Sequence, residues 1–483
     1  MVTERVVLVN PNQMKPAVAP IALDYLADAL TRHQFQVDVL DLCWSPDWAG
    51  DIDGYFAHHS VAAVGVSLRN SDDTSFASQE FFLPTFKQII DHIRTRTSAP
   101  VIIGGSAFSV MPEDILDYCG VDLGITGDGE GSLPLLMEKL VSGGDYKSIP
   151  GLVYRCGEGF RCNPPSYPNL DDASTPTRTA VDNYRYFTEG GMGSIESKRG
   201  CNKGCIYCAD PLGKGRVLRL RSPKSVVSEM ESLLQMGIDY FHFCDSEFNL
   251  PPSHAEQVCL EITRRGLGDR LNWYAYCSPA LFSQEMAALF QRAGCRGIDF
   301  GVDSGVDRML HILGRDFEVE DLWRTAAICH EQSLIFMYDL LLGGPGETRE
   351  TLRQTVEVMK ELSPSRVGAA LGVRLFPGTE LSNMVRKMGP MRANPNLKGN
   401  VIGNERFFTP VFYLSAALGE DAAQYLADLV GGDERFFLMS PPEGGNRNYD
   451  YNQNTLLVEA ICRGYKGAFW DILRRISEDG FPG

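Results

Sequence analysis

The chain has 483 residues, 44% hydrophobic and 10% aromatic, enough for cored globular domains, roughly two to four by length. A formal net charge of −17 repels phosphate backbones and argues against a general nucleic-acid binder. No apolar run reaches the ~18 residues of a membrane span, and the opening MVTERVVLVNPNQ lacks the basic-then-apolar pattern of a secretion signal.

Residues 1–145 alternate apolar runs with helical patterns. RVVLVNPN (5–12), QVDVLDL (36–42) and VAAVGVSLRN (61–70) read as strands, PIALDYLADALTRH (20–33) and FFLPTFKQIIDHIRTR (81–96) as helices. APVIIGGSAFSVMPEDIL (99–116) and DLGITGDGEGSLPLLMEKLV (122–141) each give strand, Gly-rich loop and helix. This predicts an α/β domain with an open parallel sheet. Ligands on such sheets sit at the strands' carboxyl ends. Those ends carry Asn10; Ser67, Leu68, Arg69 and Asn70; Gly104, Gly105 and Ser106; and Gly127, Asp128, Gly129 and Glu130. Backbone N–H groups there can approach a large polar ligand closely.

Residues 146–190 are rich in Pro, Gly, Ser and Asn and are expected to be a linker with one hairpin-like segment at 151–162. Alternation resumes over 191–385. Strands are GSIESKRG (193–200), DYFHFCDSEF (239–248), LNWYAYCS (271–278), GIDFGVDSG (297–305), IFMYDLLLGGPG (335–346) and RVGAALGVRLFPGT (366–379), with helices such as 223–237 and 283–294 between them. Six strands are too few for a closed eight-stranded barrel, so a partial (β/α)6 barrel is expected. Residues 386–483 predict a mostly helical C-terminal cap, with helices near 415–431 and 455–476 around the polar stretch 441–454, whose groups read either as a closure over substrate or as a surface turn.

The chain's thirteen cysteines lie mostly in apolar segments and read as reduced thiols, so a cytoplasmic location is expected. Three of them, Cys201, Cys205 and Cys208, crowd into RGCNKGCIYC (199–208). Their C-x3-C-x2-C spacing favours a four-iron cluster with one iron left open; buried thiols, or zinc with a remote fourth cysteine, are the alternatives. The basic segment KGRVLRLR (214–221) reads either as a solvated edge strand or as a clamp for a carboxylate or phosphate.

CNKGCIYC, with Tyr207 before the last cysteine, resembles the signature of radical S-adenosylmethionine (radical SAM) enzymes. FHFCDSEFNL, FGVDSG, LLLGGPGET and VRLFPGTEL follow in that family's order. The resemblance implies a 4Fe-4S cluster held by Cys201, Cys205 and Cys208, with SAM on the fourth iron. It implies SAM contacts at Asp303 and Ser304, with weaker candidates at Asp245 and Glu247, and at Tyr207, Gly343, Gly344 and Phe376 by motif position. It also implies an electron donor such as a flavodoxin or ferredoxin.

A parallel α/β domain before such a barrel resembles the cobalamin-binding group of this superfamily, and the R-N-x-D-D pattern at 69–73 resembles its tryptophan 2-methyltransferase subset. None of the eight histidines sits in the D-x-H-x-x-G motif that supplies a cobalt ligand, so cobalt is expected without a His ligand. Arg69 is then expected to guard the lower cobalt face, or else to cap Asp72 or Asp73. Gly105→Val is expected to block cobalamin without unfolding the barrel. Tyr274 and Tyr276 share one face of their strand and read as substrate contacts or proton carriers, or as core aromatics.

The implied activity is methyl transfer from SAM, by way of methylcobalamin, to an unactivated carbon of a small metabolite or peptide. The rivals are rearrangement or cyclisation with the same cofactors, and a non-catalytic cobalamin sensor with a structural cluster.

Overall fold

The computed structural model describes residues 4–172, 176–438 and 451–480. The first sheet comprises β1 (Arg5–Asn10), β2 (Gln36–Asp41), β3 (Ala63–Ser67), β4 (Val101–Gly104), β5 (Leu123–Ile125), β6 (Leu152–Cys156) and β7 (Gly159–Cys162), in spatial order β2-β1-β3-β4-β5-β6-β7. Strands β1 to β5 are parallel, and β6 and β7 add antiparallel at one edge. The hairpin expected within a linker thus extends the first sheet. Val6 to Val9 are fully buried because helices cover both faces of a parallel sheet. The strand order reverses at β1, between β2 and β3, the switch point where such sheets open a crevice.

The second sheet opens with β8 (Gly193–Ile195). A short antiparallel ribbon, β9 (Lys198–Arg199) with β10 (Arg219–Leu220), brackets the cysteine loop. The main strands are β11 (Tyr240–Phe243), β12 (Asn272–Cys277), β13 (Cys295–Asp303), β14 (Phe336–Leu342) and β15 (Arg366–Leu371). A small sheet of β16 (Val373–Arg374), β17 (Leu397–Gly399) and β18 (Val411–Tyr413) follows. The last strand, β19 (Phe436–Leu438), joins the edge of β15, so the open barrel has seven parallel strands, β19-β15-β14-β13-β12-β11-β8, instead of the six expected.

Alternation sorts the barrel's side chains. Trp273, Ala275 and Cys277 of β12 pack under the surrounding helices, in the cluster that also holds Val258 and Phe290. Tyr274 takes the concave face with Met337 and Phe437, where the C-terminal helices Thr455–Cys462 and Phe469–Glu478 fill the space with Leu457, Trp470 and Ile472. The helices expected in the C-terminal region are present, split by glycines at 464 and 467 in left-handed backbone. Residues 441–450 of the polar stretch lie outside the described residues.

Candidate active site between two cavities

Two cavities of about 610 Å³ each lie between the carboxyl ends of the two sheets, and Arg69, Ser106, Gly213, Lys214 and Tyr276 border both. The first cavity is floored by the strand ends of the first domain. Asn10, Ser67, Arg69, Gly104, Gly105, Ser106, Gly127, Asp128, Gly129 and Glu130 all line it, as the sheet's topology predicts. Leu68 and Asn70 border a smaller adjoining pocket.

Several of those side chains are already engaged. Asn10 Nδ2 donates to Asp41 Oδ1 and to Tyr186 Oη, each at 2.9 Å. Asp128 pairs with Arg219, and Glu130 accepts from Arg199 at 2.7 Å, which holds its carboxyl below the usual range despite burial. A ligand here meets mainly backbone, apolar side chains such as Leu8 and Ile103, and glycines.

Gly104 and Gly105 differ sharply. A Cβ on Gly104 would touch only the Ile125 carbonyl, at 3.6 Å, leaving the rest of its surroundings open to the cavity. A Cβ on Gly105 would lie 2.3 Å from the Leu68 carbonyl oxygen, at a φ of +112°. Gly105→Val would therefore drive the turn after β4 against the backbone just after β3, and the expectation of a clean block does not hold there.

The guanidinium of Arg69 makes no hydrogen bond or ion pair among the described residues. The carboxylates once expected to receive it are taken: Asp72 accepts from Arg374 Nη2 at 2.9 Å, and Asp73 accepts from Ser78. Arg69 is exposed into the cavities between the domains, where partial desolvation lowers its pKa, opposed by the nearby Cys244 and Tyr276. Even so, an arginine side chain stays protonated. The histidine on this cavity's wall, among the described residues, is His242 of β11 on the barrel side. Its Nδ1 donates to the Phe243 carbonyl at 2.9 Å, and burial drops its pKa to about 4.

The second cavity contains the cysteine loop. Backbone N–H groups of Lys203 and Asp210 hydrogen-bond to the Cys201 and Cys208 sulfurs, and Arg315 Nη1 donates to Cys205 Sγ at 3.2 Å. Burial nevertheless raises all three thiols, Cys208 to about 12. Bound iron would reverse that, because a coordinating thiol is deprotonated outright. Among the described residues no three His, Cys, Asp or Glu side chains converge as they would on a single ion.

Opposite the loop, Tyr207 Oη donates to Asp303 Oδ2 at 2.6 Å. Asp303 ends β13 at a φ of +63°, where the register with β14 shifts. A non-Gly residue there costs about 1–3 kcal/mol and is tolerated where function holds it. Arg315 reaches Glu247 Oε1 at 3.5 Å and Asp303 Oδ2 at 3.6 Å. Glu247 Oε2 and Arg315 Nε are buried without a hydrogen-bond partner. Such orphaned polar atoms facing a cavity fit a polar ligand. Phe376 also lines this cavity, under the Arg374 guanidinium at 4.6 Å.

Other motif residues serve the scaffold. Asp245 is 2% exposed and accepts from the Ser197 amide, at 2.9 Å, and from Lys198 Nζ, at 3.2 Å. The Ser304 hydroxyl, fully buried, shares a hydrogen bond with Thr355. Gly343 turns the chain behind the wall, its carbonyl accepting from Ser415 N and its Cβ position facing Leu414, while that of Gly344 faces Leu313. Tyr274 donates to Asp471 at 2.8 Å away from both cavities, whereas Tyr276 stands between them. Within the basic segment, Arg219 pairs across the domain boundary with Asp128 and Arg221 pairs inside the barrel with Glu229, Val217 and Leu220 are exposed, and Lys214 borders both cavities. Reading the sequence alone missed Arg315, Asp299 and Asp339, which only the folded barrel brings to the cavities.

A cluster-forming cysteine loop at the mouth of a parallel barrel, facing an α/β domain with a Gly-lined ligand cradle, defines a radical SAM enzyme with a B12-binding domain. The sequence model of the radical SAM superfamily matches residues 195–359 and that of the B12 binding domain residues 12–137. The tryptophan 2-C-methyltransferase of Streptomyces laurentii is 32% identical, over 96% of this chain and 95% of that one. The chain belongs to the family of cobalamin-dependent radical SAM methyltransferases that includes this enzyme. Its fold is that of the radical SAM methyltransferase TsrM from Kitasatospora setae. One structure of that protein, with tryptophan and a SAM analogue bound, gives a TM-score of 0.93 at 34% identity over 99% of this chain and 98% of that one. A second, with cobalamin and a 4Fe-4S cluster bound, gives 0.90 at 32% identity over all of both chains.

Proposed function

We propose that the enzyme methylates a small indole-containing amino acid, tryptophan at C2 being the first substrate to test. The observation that carries this reading is the junction itself. Two cofactor-sized cavities meet at Tyr276 and Arg69, so a small substrate placed there can face both cofactors. Methyl transfer, rather than rearrangement or a sensor role, follows from membership of the family.

The enzyme uses cobalamin, SAM and a 4Fe-4S cluster. Cobalamin, when bound, supplies a methyl carrier that SAM can charge and substrate can discharge. Cys201, Cys205 and Cys208 would hold the cluster, with the Lys203 and Asp210 amides and Arg315 offsetting the charge on sulfur. Tyr207, Asp303, Glu247, Arg315 and Phe376 present hydrogen-bonding groups and a ring to SAM. Gly104, Ser106, Gly127 and Gly129 let backbone close on cobalamin. Arg69 places a fixed positive charge where the two sites meet, with no histidine beside it on the first domain's strand ends.

The C-terminal helices pack on Tyr274, two residues before Tyr276 on the same face of the strand, and close the concave side of the barrel there. All thirteen cysteines are free, which suits a reducing cytoplasm and an electron donor of the flavodoxin or ferredoxin kind. Among the described residues, no helix is long and apolar enough to cross a membrane.

The test is product analysis. Reconstituted protein is incubated anaerobically with tryptophan and SAM bearing a trideuterated methyl group. The reading predicts a tryptophan heavier by one labelled methyl, located at C2 by NMR. Unchanged tryptophan beside active formation of methylcobalamin would refute this substrate.

A further inference from the structure

The junction contains a carboxylate that neither the cysteine loop nor the scaffold uses. Asp299, midway along β13, is 4% exposed and lines the first cavity. It projects beside Tyr276, its register partner on β12. Its Oδ1 has no hydrogen-bond partner among the described residues. On β14, Asp339 pairs in register with Gly301, while Asp299 pairs with Met337. Asp339 therefore lies diagonally across from Asp299 on the same face, one step nearer the strand ends, and it lines the second cavity. The pair spans the place where the cavities meet.

Two carboxylates this close repel, and burial deepens the cost. Asp299 is pushed far above the usual carboxylate range by desolvation and by Asp339. A buried acid with an unpartnered oxygen is costly to the fold, and such placement in a cavity points to a group kept for a ligand. What would satisfy the orphaned oxygen of Asp299, beside the second negative charge of Asp339, is a compact cation with several N–H donors. A primary ammonium is such a group, with three donors on a point charge. Tyr276 then offers a ring and a hydroxyl to the rest of the molecule.

We propose that Asp299 and Asp339 form the ammonium-recognition subsite of the substrate, seating a primary amine cation at the junction while the aromatic ring faces the cofactors. This rests on the reading of the junction as the site of an indole-containing amino acid. It makes the acids determinants of specificity: an aromatic substrate without its amine should be rejected.

The test is calorimetric binding to holoenzyme of tryptophan, of tryptamine (amine without carboxylate) and of indole-3-propionate (carboxylate without amine). Wild type should bind the first two and reject the third. Asp299→Asn and Asp339→Asn should each weaken tryptophan and tryptamine by about ten- to a hundredfold, the loss expected for one charge-assisted hydrogen bond. The Asp299→Asn protein should melt no lower than wild type, because the substitution relieves repulsion.

Unchanged tryptamine affinity in both variants would overturn the subsite. So would equal binding of indole-3-propionate by wild type. A lower melting temperature with no selective loss of the amine ligands would mark the pair as structural. A fall in kcat at constant KM, with loss of one limb of the pH–rate profile, would mark Asp299 as a base. Wild-type methylation of tryptophan, assayed alongside, separates the two readings: protein that binds tryptamine through the pair yet methylates no indole refutes the substrate and supports the subsite.

Discussion

In the proposed reading Arg69 is a cation where the two cofactor sites meet, with no ion-pair partner among the described residues, since Arg374 has taken Asp72. A fixed charge there would favour an electron-rich cobalt, and a guanidinium that stays protonated would not become a ligand. Arg69→Leu should slow methylation of cobalamin by SAM on the order of tenfold, the effect of ~1.4 kcal/mol, and Arg69→Lys should slow it less. Paramagnetic resonance of cobalt(II) should show a lower water ligand appearing in the Leu variant; an unchanged spectrum and rate would remove Arg69 from the mechanism. For the cysteine loop, replacing Cys201, Cys205 and Cys208 together by Ala should abolish bound iron and sulfide after anaerobic reconstitution, and full iron content would refute the assignment. Residues of this kind were legible in the sequence because their chemistry and spacing are local. Asp245 and Ser304 sit in the same motifs, but tertiary hydrogen bonds to Ser197 and Thr355 turned them to scaffold work that spacing cannot reveal. Arg315 had no local signal at all: it follows an ordinary helix end and matters only because the fold carries it to Cys205.

In the proposed reading the Gly-rich strand ends of the first domain set the access of cobalamin. Gly104→Val would project into the first cavity and should abolish stoichiometric binding of hydroxocobalamin in equilibrium dialysis while circular dichroism stays unchanged. Gly105→Val should instead lower the melting temperature, because its side chain meets the Leu68 backbone. A Gly104→Val protein that binds cobalamin normally would mean that the cofactor lies elsewhere. The buried strands of both sheets were readable as apolar runs, since parallel sheets are covered on both faces. Two elements were not. The β6–β7 hairpin sits in Pro- and Gly-rich sequence that reads as linker, and pairing with β5 is what makes it sheet. Strand β19 has three residues, too short for any periodicity, and only β15 gives it an edge to join.

The whole molecule works only if both domains hold their cofactors in fixed relation, and a buried ionic clamp does this. Arg178, 1% exposed, donates to Asp24 Oδ2 at 2.9 Å on the first domain's helix Ile21–Arg32, and to Glu229 Oε1 at 2.8 Å on the barrel's helix Pro223–Gln235. Arg221 adds a second bond to Glu229, at 2.6 Å. Removing one partner strands the others in a dry interface, so Arg178→Ala should cost about 3–5 kcal/mol in denaturant unfolding. The exposed Arg353→Ala, beside Glu350 and Glu357, should leave the midpoint where it is. Equal midpoints for the two variants would remove the clamp from the account. Passage of one methyl group from SAM to cobalamin and on to substrate at this junction would show in the isotope order of the first turnovers. Protein preloaded with unlabelled methylcobalamin is mixed with trideuteromethyl SAM and tryptophan, and product is sampled by mass spectrometry from the first turnover onward. The account predicts one equivalent of unlabelled methyltryptophan followed by labelled product; labelled product from the first turnover would contradict it.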